Sequence, residues 1–176
     1  MVTIMVINKA HPAWMIGVII LLVMFRFVPH PPNATPIAAM AIFAGAVLSN
    51  RVLAYLVPLI AMLISDFVIG FHSTVWYVYA SVAITVLIGS EIKQLNLLRV
   101  GAAAIIASII FFLLTNFGAW LHHDMYTQNA NGLLQAYIAG LPFLRNSLIA
   151  NLVFSYLVFY GLNSFLPLQP LLKRTQ

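Results

Sequence analysis

Residues 98–121 read LRVGAAAIIASIIFFLLTNFGAWL, and this stretch decides the fold class. It contains one charged residue, Arg99. As an α-helix it would be about 36 Å long, at about 1.5 Å per residue. A bilayer's hydrocarbon core is about 30 Å thick. The stretch is therefore predicted to be a transmembrane helix.

The composition of the whole chain agrees with that prediction. Of its 176 residues, 63% are hydrophobic and 6% are charged, whereas about 25% are charged in an average soluble domain. So few charges could not cover a water-facing surface, and the chain is predicted to be an integral membrane protein. The eight Lys and Arg residues are scattered, which argues against nucleic-acid binding. The absence of cysteine excludes disulfides, thiolate metal sites and cysteine nucleophiles.

Five other segments resemble the first in hydropathy. We predict one all-α domain over residues 1–176, a compact bundle of six transmembrane helices at about 13–28, 35–48, 52–71, 74–89, 98–121 and 142–166. The segment 35–48 is short for a span, and the preceding proline-rich loop is expected to dip inward. A separate short helix is predicted near residues 133–140. The last span is predicted to start at Pro142, because proline is favoured in a first helical turn.

The positive charges predict the orientation. With six spans, one side of the membrane receives Lys9, Arg51, Lys93, Arg99, Lys173 and Arg174. The other side receives only Arg26 and Arg145. Cytoplasmic loops carry the excess of Lys and Arg, so both termini are predicted to be cytoplasmic.

Asp66 is the most informative polar residue. It lies 15 residues after Arg51, which puts it about 22 Å up the third helix. A carboxylate facing lipid at that depth would be costly, so Asp66 is expected to face protein or a wet cavity. Arg145 and Arg26 are the candidate partners. Arg145 can form a two-point pair with the carboxylate, and Asp66 and Arg145 are predicted to lie in one wet cavity. Such a pair could tie helices together or form the floor of a cavity.

Other polar and aromatic residues are predicted near the outer side of the membrane, which is the side opposite to the cytoplasm. They are His30, Asn33, His72, Trp76, Tyr77, Tyr79, Asn116, Trp120 and Asn146. Trp and Tyr often anchor helices at the interface, and Asn often joins helices, so each residue has a structural alternative to ligand binding. His72 could ligate a metal or simply be a solvated loop residue. The triplet His122-His123-Asp124 is not expected to form a zinc site, because adjacent residues seldom converge on one ion.

The second span is rich in small residues. Ala34 and Ala38, and also Ala41 and Gly45, have the small-xxx-small spacing that lets two helices approach closely. This pattern predicts either packing within the bundle or a docking surface for another membrane subunit.

Four stretches carry a resemblance to a known family. They are Pro32–Pro36 with the Ala-rich helix that follows, Leu56–His72, Thr115–Gly118 and Pro142–Asn146. The chain resembles the substrate-binding (S) components of energy-coupling-factor (ECF) vitamin transporters, most of all the solitary cobalamin-specific S components of Gram-negative bacteria. The resemblance implies six helices, an Ala-rich helix that docks a coupling subunit, and a vitamin site open to the outside.

The resemblance also implies a function, which is vitamin uptake across the bacterial inner membrane, in contact with membrane lipid. The implied ligand is cobalamin or a related corrinoid, with no cofactor of the protein's own and no enzymatic activity. The implied partners are an ECF-type coupling subunit and its ATPases, since the chain has no GxxxxGK[ST] motif. The predicted substrate-binding residues are Asp66, Arg145 and the nine outer residues named above.

Cobalamin-specific members ligate cobalt through a cysteine, and here His72 is predicted at that place, because imidazole nitrogen is a competent axial donor. Three alternatives stay open. One is an S component for a different vitamin. Another is a small intramembrane enzyme using Asp66, His72 and the 122–124 triplet. The third is a scaffold subunit without catalysis.

Overall fold

The computed structural model describes residues 12–93, 96–122 and 124–161, and every regular element within these ranges is helical. The helices are α1 (Pro12–Met24), α2 (Ile37–Val47), α3 (Arg51–Ile69), α4 (Val75–Ser90), α5 (Leu97–His122) and α6 (Ala130–Tyr156). A 3₁₀ turn, Phe25–Phe27, extends α1, and a π-helical segment, Leu157–Gly161, extends α6. The all-α prediction is confirmed for these residues.

Three of the described helices are long and apolar enough to cross a membrane, judged by length and composition. They are α3, α5 and α6 with its extension, Ala130–Gly161. The other three apolar helices are shorter, and α2 has only 11 residues. This architecture is compatible with a membrane protein.

Helix α2 forms the centre of the fold and packs against every other described helix. Its small residues make this possible, because a Cβ atom on Gly45 would collide with the backbone oxygen of Val86 in α4. A Cβ on Gly89 of α4 would likewise collide with the backbone oxygen of Ile42. The two backbones are therefore in direct contact, as small residues permit.

The central position of α2 bears on the predicted docking surface. Ala38, Ala41 and Gly45 are buried inside the chain, and only Ala34, in the loop before α2, is partly exposed. The small-xxx-small pattern thus serves internal packing. The three buried residues offer no surface to another subunit, which corrects the docking alternative at these positions.

Helix α6 differs from its prediction. The expected short helix near 133–140 and the expected start at Pro142 are both wrong, because one continuous helix begins at Ala130 and contains Pro142. The side chain of Asn129 caps it by accepting a hydrogen bond from the backbone N–H of Gly132. Proline removes one backbone hydrogen bond, but in apolar surroundings a continuous helix satisfies the remaining polar groups. Residues 162–166 of the predicted span lie outside the described residues.

The proline-rich loop before α2 lies against the middle of α6. The Asn146 side chain donates to the Pro32 carbonyl at 3.0 Å, and the Ser147 hydroxyl donates to the Asn33 carbonyl at 3.3 Å. Asn33 has a φ of 60°, a left-handed conformation that asparagine tolerates better than most residues. These contacts fix the loop as one wall of the cavity described next.

Candidate functional site

A partly open cavity of about 410 Å³ lies among the ends of α1 to α4 and the middle of α5 and α6. Its walls combine one guanidinium, several hydroxyl, imidazole and amide groups, and five apolar side chains. The lining residues are Arg26, His30, Asn33, Thr35, Ile37, Ala38, Ile69, His72, Thr74, Val78, Phe111, Thr115, Ser147 and Asn151. Every helix contributes a residue, either directly or through an adjoining turn or loop.

A buried charge network lies at one wall of the cavity. Asp66 is 1% exposed, and its Oδ1 lies 2.6 Å from a terminal guanidinium nitrogen of Arg26. The Tyr79 hydroxyl donates to the other carboxylate oxygen at 2.6 Å. The second terminal nitrogen of Arg26 donates to the Ser65 hydroxyl and, at 3.4 Å, to the Met62 carbonyl. Asp66 is therefore buried and ion-paired, as its depth in the sequence predicts.

The ion-pair partner of Asp66 differs from the expected one. Of the two candidate partners, Arg145 is expected in one cavity with Asp66, but Arg145 is exposed on α6 and belongs to no ion pair formed within the described ranges. Arg26 takes this role because the 3₁₀ turn after α1 brings it against α3. Arg26 lines the cavity while Asp66 stands behind it, so the arginine charge is compensated at the cavity wall.

Two imidazoles line the cavity. Nδ1 of His30 lies 2.9 Å from the Pro31 carbonyl oxygen. Because a carbonyl can only accept, Nδ1 is the donor in this contact, and Nε2 takes no part in it. Nδ1 of His72 lies 2.9 Å from the Thr74 hydroxyl. No group of three His, Cys, Asp or Glu side chains suited to hold a metal ion occurs among the residues the structure describes.

Residues that the sequence reasoning missed complete the cavity on α5 and α6. Thr115, Ser147 and Asn151 all line it. The Asn151 amide nitrogen donates to the hydroxyl of Ser108 on α5 at 2.8 Å. A signal existed, because Ser147, Asn151 and Ser155 recur every four residues and so share one helix face.

Two predicted ligand-binding aromatics belong to a separate cluster formed by α4, the last turns of α5 and the loop after α5. The Tyr77 ring packs on Gly118, and its hydroxyl lies 3.2 Å from Nε2 of His122. The Trp120 indole donates to the Thr127 carbonyl at 2.9 Å. Neither Tyr77 nor Trp120 lines the cavity.

Four further predicted residues also lie outside the cavity lining. Trp76 is 76% exposed on α4, and Arg145 is exposed on α6. The Asn116 amide donates to the Phe112 carbonyl of its own helix at 2.8 Å, and Asn146 anchors the proline-rich loop. The structure thus brings His30, Asn33 and His72 into the cavity, with Asp66 and Tyr79 behind its wall.

The described fold and site define an all-helical protein in which apolar helices surround a cavity lined by polar and apolar side chains. The chain belongs to DUF6580, a family of unknown function, whose model matches residues 7–170. Comparison with curated proteins and with solved structures gives no match.

Proposed function

We propose that this protein is a membrane-embedded binding subunit that captures a small, vitamin-sized solute for uptake. One observation carries the proposal, which is a cavity of about 410 Å³ that lies among apolar helices and is lined by both polar and apolar side chains. Cavities of roughly 300–1,000 Å³ with a few placed polar groups are typical of small-molecule sites.

In this proposal the chain crosses the bacterial inner membrane six times with both termini in the cytoplasm. Helices α3, α5 and α6 have the length for a full crossing, and the three shorter apolar helices complete the bundle. Helix α2 is too short to cross the bilayer alone. The loop before α2 extends this crossing, since the loop lies inside the bundle against the middle of α6. The cavity is on the outer side, because Arg51 and Lys93 mark the opposite ends of α3 and α4.

Binding is favoured over catalysis by where the candidate catalytic groups lie. The rival hypothesis requires Asp66, His72 and the 122–124 triplet to act together. Asp66 forms an ion pair with Arg26 and accepts a hydrogen bond from Tyr79, whereas His72 forms a hydrogen bond with Thr74. His122 is bonded to Tyr77 in the separate aromatic cluster.

The cavity volume favours a small vitamin over a corrinoid. A corrin ring with its nucleotide is far larger than the ligands that a cavity of about 410 Å³ encloses, so most of it would lie outside. Cobalamin remains the second candidate on one specific observation. His72 lines the cavity and uses Nδ1 for Thr74, which leaves Nε2 to ligate cobalt.

The energy for uptake would come from a separate ATPase module, since the chain has no P-loop motif. A coupling subunit would dock on an exposed face of the bundle, because the small residues of α2 are covered.

Thermal unfolding in detergent, with single vitamins added, tests the proposal. We expect one vitamin to raise the melting temperature by mass action and to be recovered unchanged by liquid chromatography and mass spectrometry. His72→Ala should reduce this shift, whereas Trp76→Phe, outside the cavity, should keep it. Chemical conversion of the added compound would favour the enzyme hypothesis. An unchanged melting temperature with every compound, cobalamin included, would contradict the proposal.

A further inference from the structure

In the structure the amide nitrogen of Asn151 faces Ser108 on α5. Ser108 donates its hydroxyl proton to the backbone carbonyl of Ala104 at 2.8 Å. With that proton engaged, the Ser108 oxygen accepts from the Asn151 amide nitrogen at 2.8 Å, and the amide oxygen faces away from Ser108.

The amide oxygen of Asn151 is left without a donor. Asn151 is 4% exposed, and Oδ1 is buried with no hydrogen-bond partner among the described residues. The adjacent hydroxyl of Ser147 is not free, because it donates to the Asn33 carbonyl. A buried acceptor without a donor is costly, and native proteins rarely keep one without a reason. Asn151 lines the cavity, so a bound molecule can supply the missing donor once the Asn151 side chain turns its buried oxygen toward the cavity.

Among the described residues of the lining, no Asp, Glu, Lys or Arg side chain lacks a counter-charge. Arg26 is the one formally charged residue that lines the cavity within the described ranges, and Asp66 compensates it at 2.6 Å. The remaining polar lining is hydroxyl, amide and imidazole. Such a site offers an isolated carboxylate or ammonium group no counter-charge to replace its lost hydration.

We infer that Asn151 is a specificity-determining residue whose Oδ1 accepts a hydrogen bond from an N–H or O–H group of an uncharged ligand. This inference rests on the proposed function and narrows its substrate class. The ligand is a neutral amide or alcohol, and the corresponding carboxylate is rejected. A rejected carboxylate has no proton to donate and would place its oxygens against Oδ1.

The first test separates ligand binding from helix packing. Asn151→Leu has the same shape but no acceptor and no donor. The variant also loses the hydrogen bond from Asn151 to Ser108. If Oδ1 is kept for a ligand, removal of the unsatisfied oxygen offsets that loss, and the ligand-free variant should unfold at the same or a higher denaturant concentration than the wild type. If Asn151 only joins α5 to α6, the lost bond is not offset and the variant should be less stable. Asn116→Leu is the matched control, because it makes the same change outside the cavity.

The second test uses ligand pairs that share one frame and differ in charge. These are nicotinamide with nicotinate, panthenol with pantothenate, and biotin amide with biotin, measured by calorimetry in detergent. We expect the neutral member of at least one pair to bind the wild type at least about tenfold more tightly than its carboxylate. Asn151→Leu should weaken that neutral member about tenfold, the effect of losing one buried hydrogen bond. Asn116→Leu should leave it unchanged.

Three results would overturn the inference. They are a carboxylate that binds as well as its neutral partner, a neutral ligand unaffected by Asn151→Leu, or no binding by any of the six compounds. None of these results removes the proposed function, which fails separately if no vitamin of any charge stabilises the protein.

Discussion

Replacing Asp66 with Asn is the perturbation whose cost follows most directly from the structure. The substitution keeps the shape of the side chain and its ability to accept from Tyr79, but it removes the charge opposite Arg26. Asp66 is 1% exposed and the Arg26 side chain is 11% exposed, so water cannot readily replace the lost partner. Breaking a buried ion pair costs about 3–5 kcal/mol. We expect the lower end, about 3 kcal/mol, because Ser65 and Met62 still accept from the guanidinium.

The assay is the free energy of unfolding in mixed micelles, followed by tryptophan fluorescence. Arg145→Gln is the control, and it should change stability by less than about 0.5 kcal/mol because Arg145 is exposed. The double variant Arg26→Met with Asp66→Leu should recover to within about 1 kcal/mol of the wild type, since an apolar pair replaces both charges together. If Asp66→Asn costs less than about 1 kcal/mol, or if Arg145→Gln costs as much, the assignment of Arg26 as partner is refuted.

Three further results are expected. Gly45→Ala should sharply lower the yield of folded protein, because the added Cβ would collide with the α4 backbone. Gly17→Ala should be tolerated, because no atom lies within 4 Å of its added Cβ, and equal yields of the two variants would contradict the close contact between α2 and α4. Tyr79→Phe should lower the free energy of unfolding by about 1.5–3 kcal/mol, the worth of a hydrogen bond to a charged group, and an unchanged denaturation curve would count against that bond. A membrane-impermeant maleimide added to whole cells should label Thr127→Cys and spare Lys93→Cys, and labelling of position 93 from outside would reverse the proposed topology.

The sequence allows the helices and the burial of Asp66 to be predicted, but not its partner. Hydropathy locates apolar segments, and counting from Arg51 gives the height of Asp66 along α3. Arg26 and Arg145 have similar predicted heights, and height says nothing about which face of a helix meets which neighbour. Only the packing of α1 against α3 distinguishes the two arginines.

The cavity is harder to predict because its residues come from separate elements and follow no compact motif. His30, Asn33 and His72 were found because polar loop residues stand out beside apolar spans. Ser147 and Asn151 were missed because they lie inside a span, where serine and asparagine commonly join helices. The helix start predicted at Pro142 is wrong for a related reason. Proline is favoured in a first helical turn, but this local preference is overridden here by apolar surroundings, which favour one continuous helix.

The most direct test of solute capture is a native mass spectrum of the full chain, purified in mild detergent from cells grown in rich medium. We expect a one-to-one adduct with a small molecule in the wild type and in Asn116→Leu, and its loss in Asn151→Leu. Protein mass alone in every sample, with no adduct at any detergent concentration, would contradict capture of a solute in this cavity.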